Sequence, residues 1–174
     1  MGLMAELLPR QGGALVVGGG NVAKRKVRTL VEASFAVTVI APEIDGEIRA
    51  MAGVICIERG YEPGDIAGHM LVFACTDSRE ANRAVGEAAR AAGVLVDVTD
   101  SQEESTFFTP AVHRDGALTV AVSTGGASPA LARQVLDRMV TALGSGWARR
   151  VEAARSERRE RLAARGAHSG HDDE

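Results

Sequence analysis

Aromatic residues are scarce in this 174-residue chain: Phe, Trp and Tyr together make up 3% of it, against 45% hydrophobic residues overall. Its core must therefore be built from Val, Leu, Ile and Ala, the side chains that fill parallel sheets and the helices covering them. Cysteine is nearly absent. Cys56 and Cys75 stand in separate apolar runs with neither a CxxC nor a Cys/His spacing. That excludes a disulfide framework and a thiolate metal site, and reads as two buried thiols in a reducing compartment. No apolar run approaches the roughly 20 residues that a membrane span needs. Residues 1–10 lack the basic start and apolar stretch of a signal peptide, so the expectation is a cytoplasmic protein without a membrane partner. There is no basic surplus either. The formal charge of −3 argues against bulk affinity for nucleic acid.

What is present is an alternation of short apolar runs with helical stretches. Strands are predicted at 14–17, 36–41, 54–58, 71–75 and 95–98, and helices at 21–33 and 79–92. This pitch implies an α/β fold, a Rossmann-type, doubly wound parallel sheet. The pattern changes after Asp100. Residues 101–106 read as a polar loop and 118–123 as a strand with partial alternation. A helix follows over 130–143, with Ser128 as its N-cap and Pro129 at its first position. The sequence Gly144-Ser145-Gly146 breaks that helix. A charged helix is predicted over 147–165, its many arginines nearly matched by acids, reading as a solvated or partner helix. Residues 166–174 read as disordered. The expected organisation is a dinucleotide-binding domain over 1–106, a small α+β dimerisation segment over 107–143, and a charged helix and tail over 144–174.

The first strand stops at Gly18-Gly19-Gly20, and Gly18-x-Gly20-x-x-Ala23 fits the dinucleotide fingerprint. Gly18 permits the tight turn, Gly20 lets backbone approach a pyrophosphate, and Ala23 lets the helix pack close to the strand. The N–H groups at the helix start and its dipole then face the phosphates. The flanking strand, helix and second strand are the context that this motif requires. At the end of the second strand Pro42 and Glu43 stand where an acidic residue would bond the ribose hydroxyls and repel a 2′-phosphate. With no arginine there, NAD is favoured over NADP. A solvated loop carboxylate is the competing reading of Glu43.

Five stretches carry a more specific pattern. They are residues 15–26 (LVVGGGNVAKRK), 37–42 (VTVIAP), 73–82 (FACTDSREAN), 107–112 (FFTPAV) and 121–133 (AVSTGGASPALAR). Together they resemble, in order, the precorrin-2 dehydrogenase family, the N-terminal module of sirohaem synthases. The resemblance implies oxidation of precorrin-2 to sirohydrochlorin with NAD as hydride acceptor, in a homodimer. Some relatives also insert ferrous iron, so a bifunctional dehydrogenase and ferrochelatase is an alternative; an NAD-sensing dimer without turnover is another. The catalytic aspartate carries over to Asp100, and the cofactor contacts to Asn21, Val22, Pro42, Glu43 and the turn holding Thr76 and Asp77. Thr124, Gly125, Ser128, Arg133 and His113 are the candidates for substrate binding. Asp100 is also reached from the fold, because ligands of open α/β sheets bind outside the carboxyl ends of the strands. A turn or N-cap aspartate is the plain alternative.

Several positions depart from the family pattern. Asp97 replaces an asparagine, adds a negative charge near the site, and could share the face of Asp100 and partly substitute for it. Ser34 stands where a glycine is usual. His113 replaces an aliphatic residue and reads as an interface histidine before an acid, base or metal contact. An octacarboxylate substrate calls for arginines, with Arg114, Arg133 and Arg138 as candidates. Finally, Leu118, Val120, Val122, Leu131, Val135 and Leu136 lie in a segment too short for its own core and need a partner surface, which predicts the dimer.

Overall fold

The computed structural model describes residues 2–9 and 12–168, and side chains as far as residue 164. Two compact units divide the chain, Met1–Thr109 and Pro110–Glu174.

The first unit is a five-stranded, wholly parallel sheet in the order β3-β2-β1-β4-β5. Its elements in chain order are β1 (Gly13–Val17), α1 (Asn21–Glu32), β2 (Val37–Ile40), α2 (Gly46–Arg49), β3 (Val54–Ile57), β4 (His69–Ala74), α3 (Arg79–Ala91) and β5 (Leu95–Val98). Because β1 is buried on both faces, successive residues feed two different cores. Ala14 and Val16 pack with Val27 and Leu30 of α1 and Ile48 of α2. Leu15 and Val17 pack with Val85 and Ala89 of α3. Helices therefore cover both faces, as the run of strand and helix predicts. The strand order reverses between β1 and β4, and in open α/β sheets that switch point is where ligands bind.

The 101–106 segment is a loop, and it is firmly tied down. Thr106 N donates to Val96 O at 2.8 Å, while Val96 N donates to Thr106 Oγ1 and Val98 N to Ser105 Oγ, at 2.8 and 2.9 Å. Two hydroxyls and a backbone amide thus satisfy the outer edge of β5, a row of groups that would otherwise invite pairing with another chain.

The second unit contains β6 (Ala111–Asp115), β7 (Leu118–Val122), α4 (Pro129–Leu143) and α5 (Trp147–His168). The first two form an antiparallel hairpin with Asp115 opposite Leu118. Gly116 opens its two-residue turn at φ 58°, the positive value that hairpin turns need to match strand twist. The sequence reading placed β7 and missed β6, although Asp115-Gly116 is a hairpin signal. Ser128 caps α4 as predicted, accepting from Leu131 N at 3.1 Å. Asp115 Oδ2 accepts from Trp147 N and Ala148 N at 3.0 and 3.3 Å and so caps α5. Trp147 Nε1 donates to Leu143 O at 3.0 Å, satisfying a carbonyl at the end of α4.

Two readings of the C-terminal region need correction. Residues 166–168 continue α5 as helix, and residues 169–174 lie outside the described residues. Between 147 and 165 there are seven arginines against three glutamates, so the helix is clearly cationic. Its described ion pairs join Glu152 to Arg155 and Arg159.

Candidate functional site

The glycine turn lies at the switch point, and each of its three glycines has a different role. Gly18 has φ 122°, and a Cβ there would lie 2.4 Å from Cys75 O. It is what allows β1 and the end of β4 to meet. A Cβ on Gly19 would lie 2.0 Å from Glu43 O, and Gly19 O accepts from Asp45 N at 2.9 Å. The loop carrying Pro42 and Glu43 is thus pressed onto the turn through Gly19, a role the fingerprint does not contain and the sequence reading missed. A Cβ on Gly20 would meet nothing within 4 Å.

Gly20 is also the N-cap of α1, and no side chain caps that helix. The amides at the start of α1 have no acceptor within the helix. The open space over Gly20, the exposed Asn21 and the half-buried Val22 therefore leave a cradle that suits a pyrophosphate. Ala23 is fully buried, as close helix–sheet packing requires. On this geometry the residues present fit a dinucleotide. Pro42 and Glu43 are both exposed just past β2. Lys24 reaches from α1 to Asp45 and Glu47, at 3.1 and 2.8 Å, and anchors the far side of that loop.

Thr76 and Asp77 follow β4. Asp77 is exposed. Thr76 is held by Asn82 of α3, whose Oδ1 accepts from Thr76 N and Oγ1 at 2.9 and 2.8 Å. Cys75 beside it is buried, and desolvation pushes its thiol up to about 12, so it is inert at neutral pH.

The two aspartates near the end of β5 have separate surroundings. Asp97 is buried, within 2.6 Å of Lys26 Nζ, and accepts from Thr109 Oγ1 at 3.2 Å. Lys26 also stands 5.2 Å from the Phe73 ring centroid. Asp100 lies three positions on, past the strand, and is exposed. It accepts from Asn82 Nδ2 at 3.0 Å and has Arg79 at 3.7 Å. The expectation that Asp97 could substitute for Asp100 is therefore overturned: its carboxylate is committed to Lys26 in a different environment. Arg79 in turn pairs with Glu104, holding that carboxyl below its usual range and raising the guanidinium.

In the second unit, Thr124 Oγ1 accepts from Ser128 N at 3.0 Å and donates to Ser128 O at 3.1 Å. Gly125 and Gly126 have φ 63° and 86°, a left-handed pair only glycines adopt freely. The STGG segment is thus a closed turn, and the hydroxyls of Thr124 and Ser128 already serve it and the cap of α4. Arg133 projects from α4 and is exposed; Arg114 and Arg138 are exposed too. His113 is half-buried on β6 opposite Val120. No group of three or more His, Cys, Asp or Glu side chains among the described residues could hold a metal ion. No described helix is long and apolar enough to cross a membrane.

Comparison with known proteins agrees with this anatomy. A family model for NAD(P) binding matches residues 9–111, and one for the central part of sirohaem biosynthesis proteins matches residues 115–140. The chain is 40% identical over 144 residues to a sirohaem synthase of Methylobacillus flagellatus, covering 78% of this chain and 30% of that one. It is 44% identical over 134 residues to the enzyme of that name in Methylococcus capsulatus, covering 75% and 28%. The chain thus spans about a third of the length of these curated relatives. Among solved structures, SirC, a precorrin-2 dehydrogenase, has a similar fold, with a TM-score of 0.71 at 23% identity over 86% of this chain and 75% of that one. An NAD(P)-binding family model over more than half of the chain, a sirohaem-type central segment and relatives that match across both units make this chain a member of the sirohaem synthase family, over that family's NAD(P)-binding and central segments.

Proposed function

We propose that this chain oxidises precorrin-2 to sirohydrochlorin. NAD supplies the acceptor for the hydride that leaves the substrate. The observation that carries the reading is the pairing, on one carboxyl edge of one sheet, of the open cradle over Gly20 with the accessible carboxylate of Asp100. Gly18, Gly20, Asn21 and Val22 would hold the pyrophosphate, Pro42 and Glu43 the ribose, and Thr76 and Asp77 the other end of the cofactor. Glu43, with no arginine beside it, favours NAD over NADP. Asp100 takes the proton that is lost with the hydride, or stabilises the cation formed on the way. Arg133, His113 and the turn at Thr124, Gly125 and Ser128 are the substrate-binding candidates of the second unit, where the exposed guanidinium suits carboxylates best.

The protein is further proposed to work in the cytoplasm as a homodimer. The dimer rests on Leu131, Val135 and Met139, four residues apart on α4 and 49%, 37% and 46% exposed; Leu136, expected to need a partner surface, is instead fully buried by its own unit, and Leu118, Val120 and Val122 are half-buried. The domain organisation proposed above follows the same division of labour, with the cofactor held before residue 107 and the partner surface after it.

Anaerobic incubation with precorrin-2 and NAD, following NADH formation, tests the reading. Turnover by the native chain, lowered about 10²–10⁴-fold in Asp100→Asn, is the expected result. Tight NADH binding with no precorrin-2 oxidation would favour an NAD sensor instead. Adding ferrous iron to the same assay decides whether the product is also metallated.

A further inference from the structure

Asn82 is fully buried at 1% exposure, one of only two buried polar residues among those described. It sits in the first turn of α3, where no packing need calls for an amide. Every hydrogen-bonding position of its side chain is used. Oδ1 accepts from Thr76 N and Thr76 Oγ1, at 2.9 and 2.8 Å, while Nδ2 donates to Thr76 O and to Asp100 Oδ2, both at 3.0 Å. The orientation of the amide is therefore unambiguous: two donors face its oxygen and two acceptors its nitrogen. One side chain thus ties the turn after β4 to the carboxylate after β5.

We infer that Asn82 is the positioning residue of Asp100, fixing that carboxylate relative to the Thr76 turn. The inference rests on the proposed role of Asp100. A side chain that only closed the Thr76 turn would need its bonds to Thr76 alone; the fourth bond spends an amide proton on a carboxylate that is open to solvent. The charged groups facing Asp100 are Arg79 from α3 and Glu104 from the loop after β5, which pair with each other. Both are charged and partly exposed, with side chains 49% and 21% accessible. Asn82 is the buried contact, and buried groups hold geometry best. Donation from Nδ2 to Oδ2 fixes which oxygen of Asp100 stays free.

Asn82→Asp tests this, because it keeps size and the acceptor for Thr76 N while replacing the donor to Asp100 and Thr76 O with a carboxylate oxygen. In the native background it is expected to lower kcat on the order of 10–100-fold, as loss of alignment does. In an Asp100→Asn background it should change kcat less than about threefold, since coupled residues are not additive. Equal losses in both backgrounds would make Asn82 a structural residue and overturn the inference, as would native turnover in Asn82→Asp. A second readout needs neither cofactor nor substrate. In a crystal structure of the NAD-free Asn82→Ser protein, the Asp100 carboxylate should leave its native place beside residue 82 while the Thr76 turn stays closed. An unmoved carboxylate overturns the inference whatever the assay gives. Full turnover by Asp100→Asn alone would instead bring down the reading of Asp100. Should Asn82→Asp fail to fold, Asn82→Ser, whose hydroxyl can serve Thr76 but cannot span to Asp100, takes its place with the same expected outcomes.

Discussion

The two units are built on opposite economies of burial. In the first, every strand residue of β1 from Ala14 to Val17 is at most 2% exposed, and both faces of the sheet are closed by helices. In the second, Ala132 and Leu136 are the only buried apolar residues among those described, while Leu131, Val135 and Met139 of the same helix remain open. Helix stability in water comes mainly from burying an apolar face. The first unit thus closes its central strands on both sides, although Ile55 at the edge of its sheet is 61% exposed, while the second leaves open one face of its helix α4. The difference also tells where precision is stored. The first unit fixes its proposed catalytic groups through buried bonds; the second holds its STGG turn through local bonds between neighbours.

The sharpest test of that contrast is inside the first unit. Lys26→Met would leave the Asp97 carboxylate buried without its cation. The pair is part-buried, with the Lys26 side chain 22% exposed, so breaking it from one side should cost about 2–3 kcal/mol, measurable by urea unfolding. A loss below about 1 kcal/mol would show that the first unit is not held by this bond.

Next in size is a comparison between adjacent glycines. Gly19→Ala forces a methyl against Glu43 O and should cost about 1–3 kcal/mol, with the Glu43 loop displaced. Gly20→Ala has room for its methyl, so stability should stay within about 1 kcal/mol while NAD affinity falls. Calorimetry of folding and of NAD binding on both variants separates the two roles. Equal stability losses would contradict them.

For the second unit, Val135→Asp places a charge on the open face of α4. Light scattering at micromolar concentration should show a dimer for the native chain and a monomer for the variant, with NAD affinity kept. A native monomer would remove the dimer from the proposal.

Smaller again is the response to pH. Asp65 is lowered chiefly by Arg59, Glu104 by Arg79, and Asp45 by the Glu47 amide and Lys24. Their folded values lie below the ordinary 3.8 for aspartate and 4.5 for glutamate. The stability they contribute is present above those ordinary values and is lost as pH falls through the lowered ones. All three lie in the first unit. Melting temperature should therefore drop below about pH 4, less steeply in Asp65→Asn. Cys75 works in the opposite direction. Its thiol is raised from 9.0 to about 12, so the unfolded chain sheds a proton first, and stability declines as pH rises above about 9.

The smallest expected change is a gain. Ser34 holds φ 64° as the single described non-glycine residue in the left-handed region, where L side chains cost roughly 1–2 kcal/mol. Ser34→Gly should recover about 1 kcal/mol in urea unfolding, and no gain would mean that the serine relieves its own strain.

The five strands of the first sheet, helices α1 and α3, the turn at Gly18 and the Ser128 cap were legible in the sequence, because they are local; the short α2 and the order of the strands within the sheet were not. Alternation, spacing and capping chemistry act within a few residues, and the same chain signals recur wherever these elements form. The helix ends and the loop over 101–106 were placed to within a few residues for the same reason. The hairpin strand β6 escaped notice because its alternation is broken by His113 and Arg114, although its turn residues were in view. What only the tertiary structure decided is which polar groups are spent and which stay free. Lys26 and Asp97 are 71 positions apart in the chain, and no spacing rule links them; their meeting commits the Asp97 carboxylate to an ion pair while that of Asp100 stays exposed. Asn82 looks like any helical asparagine until the sheet brings Thr76 and Asp100 to its two sides. Gly19 reads as a spacer between two motif glycines until the Glu43 backbone arrives against it. Local chemistry chose the elements, and long-range packing, by burying some charges and sparing others, chose the residues left to act.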